Sequence, residues 1–316
     1  GLGVALLSQT MDNRIQTVMD VEKTLGVPFL GGIPYWVRSG LERTIRPIVT
    51  EEHSTGAIEA YRALRTTILA ALAQKNEKVV IFTSADSKEG KTLTVLNLAI
   101  LVGQMHKKVL LVDMDIRRGR LHRSFEMERT PGVTDALKSG ASLKSVVMPT
   151  RFENVSLVPS GSTVENAAEL LQSANLPGFF MDVEKDFDYI FVDTSPVLRV
   201  TDTVIVTSQG FGVVVYVARV NKTPKPLVRY SLDLLRGARI IGMVLNSIEM
   251  HRIGSLYYSY QYPNYAYYSN AYAYGYDYYY YSDQKGSKGS RRRSNPADRT
   301  WNRLSEWFRE TFLPMG

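Results

Sequence analysis

The hydrophobic pattern changes period several times along the chain, and each change marks an element. Across residues 57–73 the apolar positions Ile58, Tyr61, Leu64, Ile68, Leu69 and Leu72 recur at intervals of three and four, the spacing of one helical face. The pattern then contracts to a β-branched run, Val79-Val-Ile-Phe-Thr83, followed by a polar glycine-containing turn and a second helical pattern through Val95, Leu98 and Val102. Strand, loop and helix are expected in that order.

The alternation continues through apolar runs at 109–113, 155–158, 189–193, 213–217 and 240–245. Six short, nearly all-apolar runs separated by helical segments predict an α/β fold whose mostly parallel central sheet is covered on both faces. Upstream the signal is mixed. A helical stretch near 20–25 ends at Gly26-Val-Pro28, and Gly31-Gly32-Ile-Pro34 adds further breakers. Residues 1–50 therefore read as a lead-in and 51–252 as the principal domain. Residues 253–284 form a third region, since 257–281 hold no Leu, Ile, Val, Met or Phe with which to build a core and are expected to be a mostly disordered tail. Residues 285–316 begin as a Gly/Ser/Arg linker and end with Trp301, Leu304, Trp307, Phe308 and Phe312 on one face of an amphipathic helix.

Composition narrows the function. The 316 residues include no cysteine, which excludes thiolate metal sites, iron-sulfur carriers and cysteine nucleophiles, and fits a reducing, cytoplasmic setting. The net charge is +7, of which +5 falls in residues 285–316. The rest is nearly neutral, so a nucleic-acid-binding domain is not expected. Residues 1–7 are apolar but far short of the roughly 18 needed to span a bilayer. Tyr (19) outnumbers Phe (11) because of one cluster: Tyr257, Tyr258, Tyr260, Tyr262, Tyr265, Tyr267, Tyr268, Tyr272, Tyr274, Tyr276, Tyr278, Tyr279, Tyr280 and Tyr281. By composition alone such a cluster suits self-association or stacking on RNA as well as it suits a substrate.

The chemistry concentrates at strand ends. The first run feeds into Ala85-Asp-Ser-Lys-Glu-Gly90-Lys91-Thr92 and then a helix, the context that makes a GK[ST] string a phosphate loop. Its amides would cradle phosphates, Lys91 would reach the outer oxygens, and the Thr92 hydroxyl would ligate Mg²⁺. Asp113 and Asp115 end the second run with i, i+2 spacing, and Asp193 ends the run at 189–193. Three acids brought close together at the carboxyl ends of strands call for a cation or a lysine among them.

Together the loop ending Glu89-Gly-Lys-Thr92, the string Val-Asp113-Met-Asp115-Ile-Arg117-Arg118 and Val-Asp193-Thr-Ser-Pro196-Val resemble the three Walker-type motifs of the bacterial tyrosine kinases, a branch of the P-loop ATPases. Glu59, Arg62 and Arg65 match the family's ExxRxxR oligomerisation motif, and Pro159-Ser-Gly161 with Asn166 and Glu169-Leu-Leu171 resembles its PxG…N…ELL segment. Ser87-Lys88 replaces the Pro-Gly pair common in the family's loops, and Asp193-Thr-Ser-Pro196 replaces the usual DxPP. A partition-type regulatory ATPase is the rival reading, but its signature lysine would stand at Asp86.

The resemblance implies an ATP-dependent protein-tyrosine autokinase. Ser87, Lys88, Glu89, Gly90, Lys91, Thr92, Leu93 and Asn246 would contact ATP, and Thr92, Asp113 and Asp193 would hold Mg²⁺. Lys91 and the three aspartates would be catalytic, with Asp115 as proton acceptor, a division from Asp113 that spacing alone leaves open. The tyrosine cluster would be the phosphoacceptor, used in trans within a homo-oligomeric ring built through Glu59, Arg62 and Arg65. Each phosphate would add about −1.5 to −2 charges and favour ring dissociation. The chain would be the cytoplasmic domain of an inner-membrane protein anchored through a preceding part. A tyrosine phosphatase and polysaccharide polymerase and export proteins would be its partners.

Overall fold

The runs predicted as strands are buried on both sides, and the sheet that results is larger than their number suggested. A computed structural model describes residues 13–35, 46–50 and 55–248. Among these, β1 (Phe29–Pro34), β2 (Val79–Thr83), β3 (Val109–Asp113), β4 (Met148–Pro149), β5 (Val155–Val158), β6 (Tyr189–Asp193), β7 (Val213–Arg219) and β8 (Ile240–Ile248) form one sheet. Its order is β1-β8-β7-β2-β6-β3-β5-β4. Every neighbouring pair is parallel except β4 with β5.

The helices are α1 (Thr55–Lys75), α2 (Lys91–Gly103), α3 (Leu121–Ser124), α4 (Val133–Ser139), α5 (Ala167–Ser173), α6 (Leu176–Glu184), α7 (Asp202–Ser208) and α8 (Lys225–Leu234). Successive strand residues point to opposite faces, so each strand feeds two cores. Val80, Phe82, Val109, Leu111, Phe191 and Val215 pack with Tyr61, Leu64 and Ile68 of α1 and Val95 and Leu98 of α2. Val79, Ile81, Leu110, Val112, Ile190 and Val192 pack with Val133, Leu171, Phe180 and Val206 of the opposite layer. Complete burial of one such side chain stabilises by about 1.5–3 kcal/mol. Both faces are therefore dry, and the runs are continuously apolar rather than alternating. The rings of Phe82 and Phe191 meet edge to face at 5.6 Å, which locks β2 against β6 beneath the site.

The lead-in reading of 1–50 needs one correction. Phe29–Pro34 is an edge strand parallel to β8, with Gly32 opposite Leu245. Its glycines permit close packing instead of breaking the chain: a Cβ on Gly32 would sit 2.3 Å from the Ile248 side chain. Before it, Ile15, Val21 and Val27 join Tyr216, Val228 and Met243 in a third core. Residues 1–12, the tyrosine cluster and the aromatic C-terminal stretch lie outside the described residues. Among the described residues no helix is long and apolar enough to cross a membrane.

Candidate functional site

The central strand β2 ends at Thr83, and the chain turns back over the sheet edge before α2 begins at Lys91. Gly90, the residue before the helix, has φ of 94°, and a Cβ there would lie 1.7 Å from the Asn246 side-chain nitrogen. Only glycine meets both demands, which explains the Gly-Lys pair. Asn246 Nδ2 donates to the Glu89 carbonyl oxygen at 2.8 Å, so the residue expected to touch nucleotide also closes over the loop from β8. Leu93, expected at the nucleotide, packs partly buried against the α1/α2 core.

The loop is anchored on two sides. Glu89 is 1% exposed, and its carboxylate accepts from Arg219 N–H, the Thr223 hydroxyl and, at 3.4 Å, Lys222 Nζ. Burial pushes the Glu89 carboxyl up, against the pull of these donors. Lys222 Nζ also donates to the Ser87 carbonyl oxygen. On the other side Asp86 pairs with Arg199, whose Nη2 lies 3.1 Å from Asp86 Oδ2.

The three carboxylates converge as their strand positions require, but they differ sharply in environment. Asp113 and Asp193 are directly opposed in the β3/β6 register, on strands about 4.8 Å apart. Asp193 receives an ion pair from Lys91 Nζ and a hydrogen bond from Thr92 Oγ1 at 2.8 Å. Asp113 Oδ2 accepts from the Leu121 N–H at 3.0 Å, whereas Asp113 Oδ1 is buried with no hydrogen-bond partner. Burial raises the pKa of both acids, and for Asp113, raised well above the ordinary carboxylate range, the neighbouring Asp193 charge adds to the effect. Asp115 lies beyond the strand and is only half-buried. Its Oδ1 accepts from Ser195 Oγ and from the Arg118 N–H, both at 3.0 Å.

An orphaned, fully buried carboxylate oxygen beside a hydroxyl and a second carboxylate is a donor set suited to a hard divalent cation. No group of three His, Cys, Asp or Glu among the described residues could hold a metal alone. That fits Mg²⁺, which is bound by one or two carboxylates together with phosphate oxygens and water. The loop amides and Lys91 suit the phosphates, and Asp115 is the acid that remains reachable.

Sequence reading missed several residues that build the site. Arg117 reaches the buried Asp202 through Nε and Nη2 at 2.7 and 3.0 Å, fixing the segment after Asp113 to the start of α7. Arg129 holds Ser160 at 3.0 Å and the Ile116 carbonyl oxygen at 3.0 Å. On α1, Arg62 pairs with Glu59 on the exposed surface, while Arg65 donates to the Leu101 carbonyl oxygen at 3.2 Å. Burial lowers the Arg65 pKa, and Arg62 adds to the effect.

Fold and site together define a P-loop α/β protein arranged for phosphate and divalent-cation chemistry. A family model described as an AAA domain matches residues 68–219. The tyrosine-protein kinase ptk of Acinetobacter johnsonii is 32% identical over 266 residues, 80% of this chain and 36% of the relative. The tyrosine-protein kinase YwqD of Bacillus subtilis (strain 168) is 31% identical over 206 residues, 65% of this chain and 86% of the relative. The kinase domain of the Escherichia coli tyrosine kinase ETK superposes with a TM-score of 0.68 at 27% identity, over 74% of this chain and 95% of that one. The chain belongs to the bacterial tyrosine kinase family. It spans about a third of the length of the first curated relatives it matches, 36% and 30%.

Proposed function

We propose that this chain is the ATP-dependent protein-tyrosine autokinase domain of a membrane-anchored regulator of exopolysaccharide or capsule synthesis and export. The observation that carries the reading is the division of labour among the acids. Asp113 and Asp193 are buried against Lys91 and Thr92, while Asp115 stays half-buried and held from two sides.

Bound Mg-ATP would supply the transferable phosphoryl group. Thr92, Asp113 and Asp193 would hold the cation, directly or through water. The Lys91 ammonium offsets negative charge that develops on the phosphoryl oxygens. Asp115 orients the acceptor phenol and takes its proton. A phenol with an ordinary pKa near 10 is protonated at neutral pH, so a carboxylate within hydrogen-bond reach is useful. Ser195 and the Arg118 amide fix the carboxylate for that role. The acceptors are tyrosines of the cluster at 257–281, presented by a neighbouring subunit of a ring formed through Glu59, Arg62 and Arg65. A tyrosine phosphatase would reset the modification, and polysaccharide polymerase and export proteins would respond to it.

The test is incubation of purified protein with Mg-ATP, with phosphotyrosine and released phosphate measured together. Phosphotyrosine that disappears both in Lys91→Met and when all fourteen cluster tyrosines are Phe supports the autokinase. Phosphate release without phosphotyrosine supports a regulatory ATPase instead.

A further inference from the structure

The solvent face of α8 is apolar where a surface helix ordinarily carries charge. Leu227, Tyr230 and Leu234 are 47%, 57% and 38% exposed, and their i, i+3, i+7 spacing puts them in one row along the helix. The opposite side holds the buried Val228 and Ser231, and Val228 and Leu235 belong to the core shared with Ile15 and Val21. The row is left uncovered among the described residues. Close by, Met19 is 63% exposed and precedes Asp20, whose carboxylate pairs with Lys225 of the first α8 turn at 2.7 Å.

Charge and chain path narrow the partner. Residues 222–239 carry Lys222, Lys225, Arg229, Arg236 and Arg239 against the single acid Asp233. Most of these cations are paired, but Arg229 donates to a neutral group, the Thr24 carbonyl oxygen, and the adjoining Lys23 is exposed. The chain also enters the fold here: the Lys225 N–H donates to the Asn13 carbonyl oxygen at 2.6 Å, and Arg14 bridges to Pro224. Only residues 8–12 separate Asn13 from the apolar run at 1–7. Six extended peptide steps reach at most about 20 Å, so an anchor continuing upstream from that run holds the start of α8 that close to the bilayer. An exposed apolar row with basic side chains at its flank, tethered at that distance, fits the headgroup region of an anionic membrane.

We propose that the exposed face of α8 is a membrane-surface contact. Leu227, Tyr230 and Leu234 enter the boundary between headgroups and acyl chains, and Lys23 and Arg229 meet the lipid phosphates. The contact fixes the orientation of the domain beneath its anchor. It rests on the membrane-anchored reading above and adds to it the surface, the side chains and the lipid charge that the domain uses.

The chain holds no cysteine, so Tyr230→Cys can carry a single nitrobenzofurazan label. The full chain is tethered through an N-terminal hexahistidine tag to vesicles of phosphatidylcholine and phosphatidylserine containing nickel-chelating lipid, which supplies the upstream attachment. The label at 230 should shift to the blue and be quenched by doxyl-labelled lipid, whereas a label at Met181→Cys, exposed on α6, should do neither. Leu227→Gln with Leu234→Gln should lower the docked-to-free ratio at least about tenfold. Lys23→Gln with Arg229→Gln should remove most of the gain from phosphatidylserine, about fivefold per charge. Absence of quenching at 230 overturns the proposal, as does equal quenching at 181. Quenching found only for a label at Trp307→Cys assigns the lipid contact to the C-terminal stretch and also overturns it. Fractionation of cells carrying the full-length protein tests the anchor separately. Its absence from the membrane fraction removes the anchored reading and the inference together; its presence there without quenching at 230 removes the inference alone.

Discussion

Replacing Asp113 by Asn separates the two demands that the acidic cluster meets. The side chain is wholly buried, opposed to Asp193 in the sheet register, and one carboxylate oxygen has no partner. Asn has the same shape and can still accept from the Leu121 N–H, so no cavity opens and no ladder bond is lost. An unpaired buried polar group costs about 1–3 kcal/mol, and more when it is charged; with its oxygen on the Leu121 N–H, Asn still leaves its amide nitrogen where Oδ1 stood, but it removes the charge buried beside Asp193. Asp113→Asn should therefore be more stable than wild type at neutral pH without nucleotide, by about 1–3 kcal/mol. At roughly 2–4 °C per kcal/mol for a domain of this size, the melting temperature should rise by about 2–12 °C.

The pH dependence has a definite sign. Burial, reinforced by Asp193, raises the folded pKa of Asp113. The folded state therefore binds more protons than the unfolded one above the unfolded value of about 3.9. The associated stability is present below that value and is lost as pH rises through the folded one. Asn removes this contribution, so the variant's stability should fall less steeply above about pH 4. Thermal melts from acid to alkaline pH in EDTA, repeated with Mg²⁺ and ADP, test both halves. The variant should melt higher in EDTA and gain less from Mg-ADP. A variant that melts lower in EDTA, or keeps the wild-type pH slope, refutes the account of the buried charge. An undiminished Mg-ADP shift removes Asp113 from the cation site.

Substitutions at three other places have definite expected outcomes. Arg117→Ala leaves the buried Asp202 without its two guanidinium bonds; with Arg117 about a third exposed (35%), urea denaturation should show a loss of about 2–3 kcal/mol, and Arg117→Lys should recover less than half because one ammonium cannot reproduce the fork. Thr223→Val removes a hydroxyl donor from buried Glu89, so stability at pH 8 should fall by about 1–2 kcal/mol. Because burial already holds the Glu89 carboxyl above its ordinary value, the deficit should shrink near pH 4, where the carboxyl is protonated. Glu59→Ala with Arg62→Ala breaks an exposed pair within α1, which should change monomer stability by no more than about 0.5 kcal/mol. If the proposed ring forms through this face, sedimentation of the double variant should show its loss, and an unchanged mass distribution would return the pair to a plain surface role.

Much of the site was visible before the fold because its chemistry sits where short-range patterns end. Lys91 and Thr92 follow an apolar strand and open a helix, and Asp113 and Asp193 each close a strand, so burial and topology position them without further information. The lead-in was harder. Gly31-Gly32-Ile-Pro34 carries the composition of a turn, and only its packing on β8 makes it a strand.

Local hydrophobic pattern therefore settled the six central strands, α1 and α2 and the loop that turns from β2 into α2, because the pairing of hydrophobic spacing with backbone geometry is local. The tertiary structure alone decided which acid is orphaned, which is paired with Lys91 and which remains half-exposed. It also brought Glu89 to Thr223, Asn246 to Glu89 and Arg117 to Asp202, contacts between residues 134, 157 and 85 positions apart. The reason is physical: a side chain's charge state and partners depend on strand order and burial, which arise from long-range packing and leave no periodic trace in the local sequence.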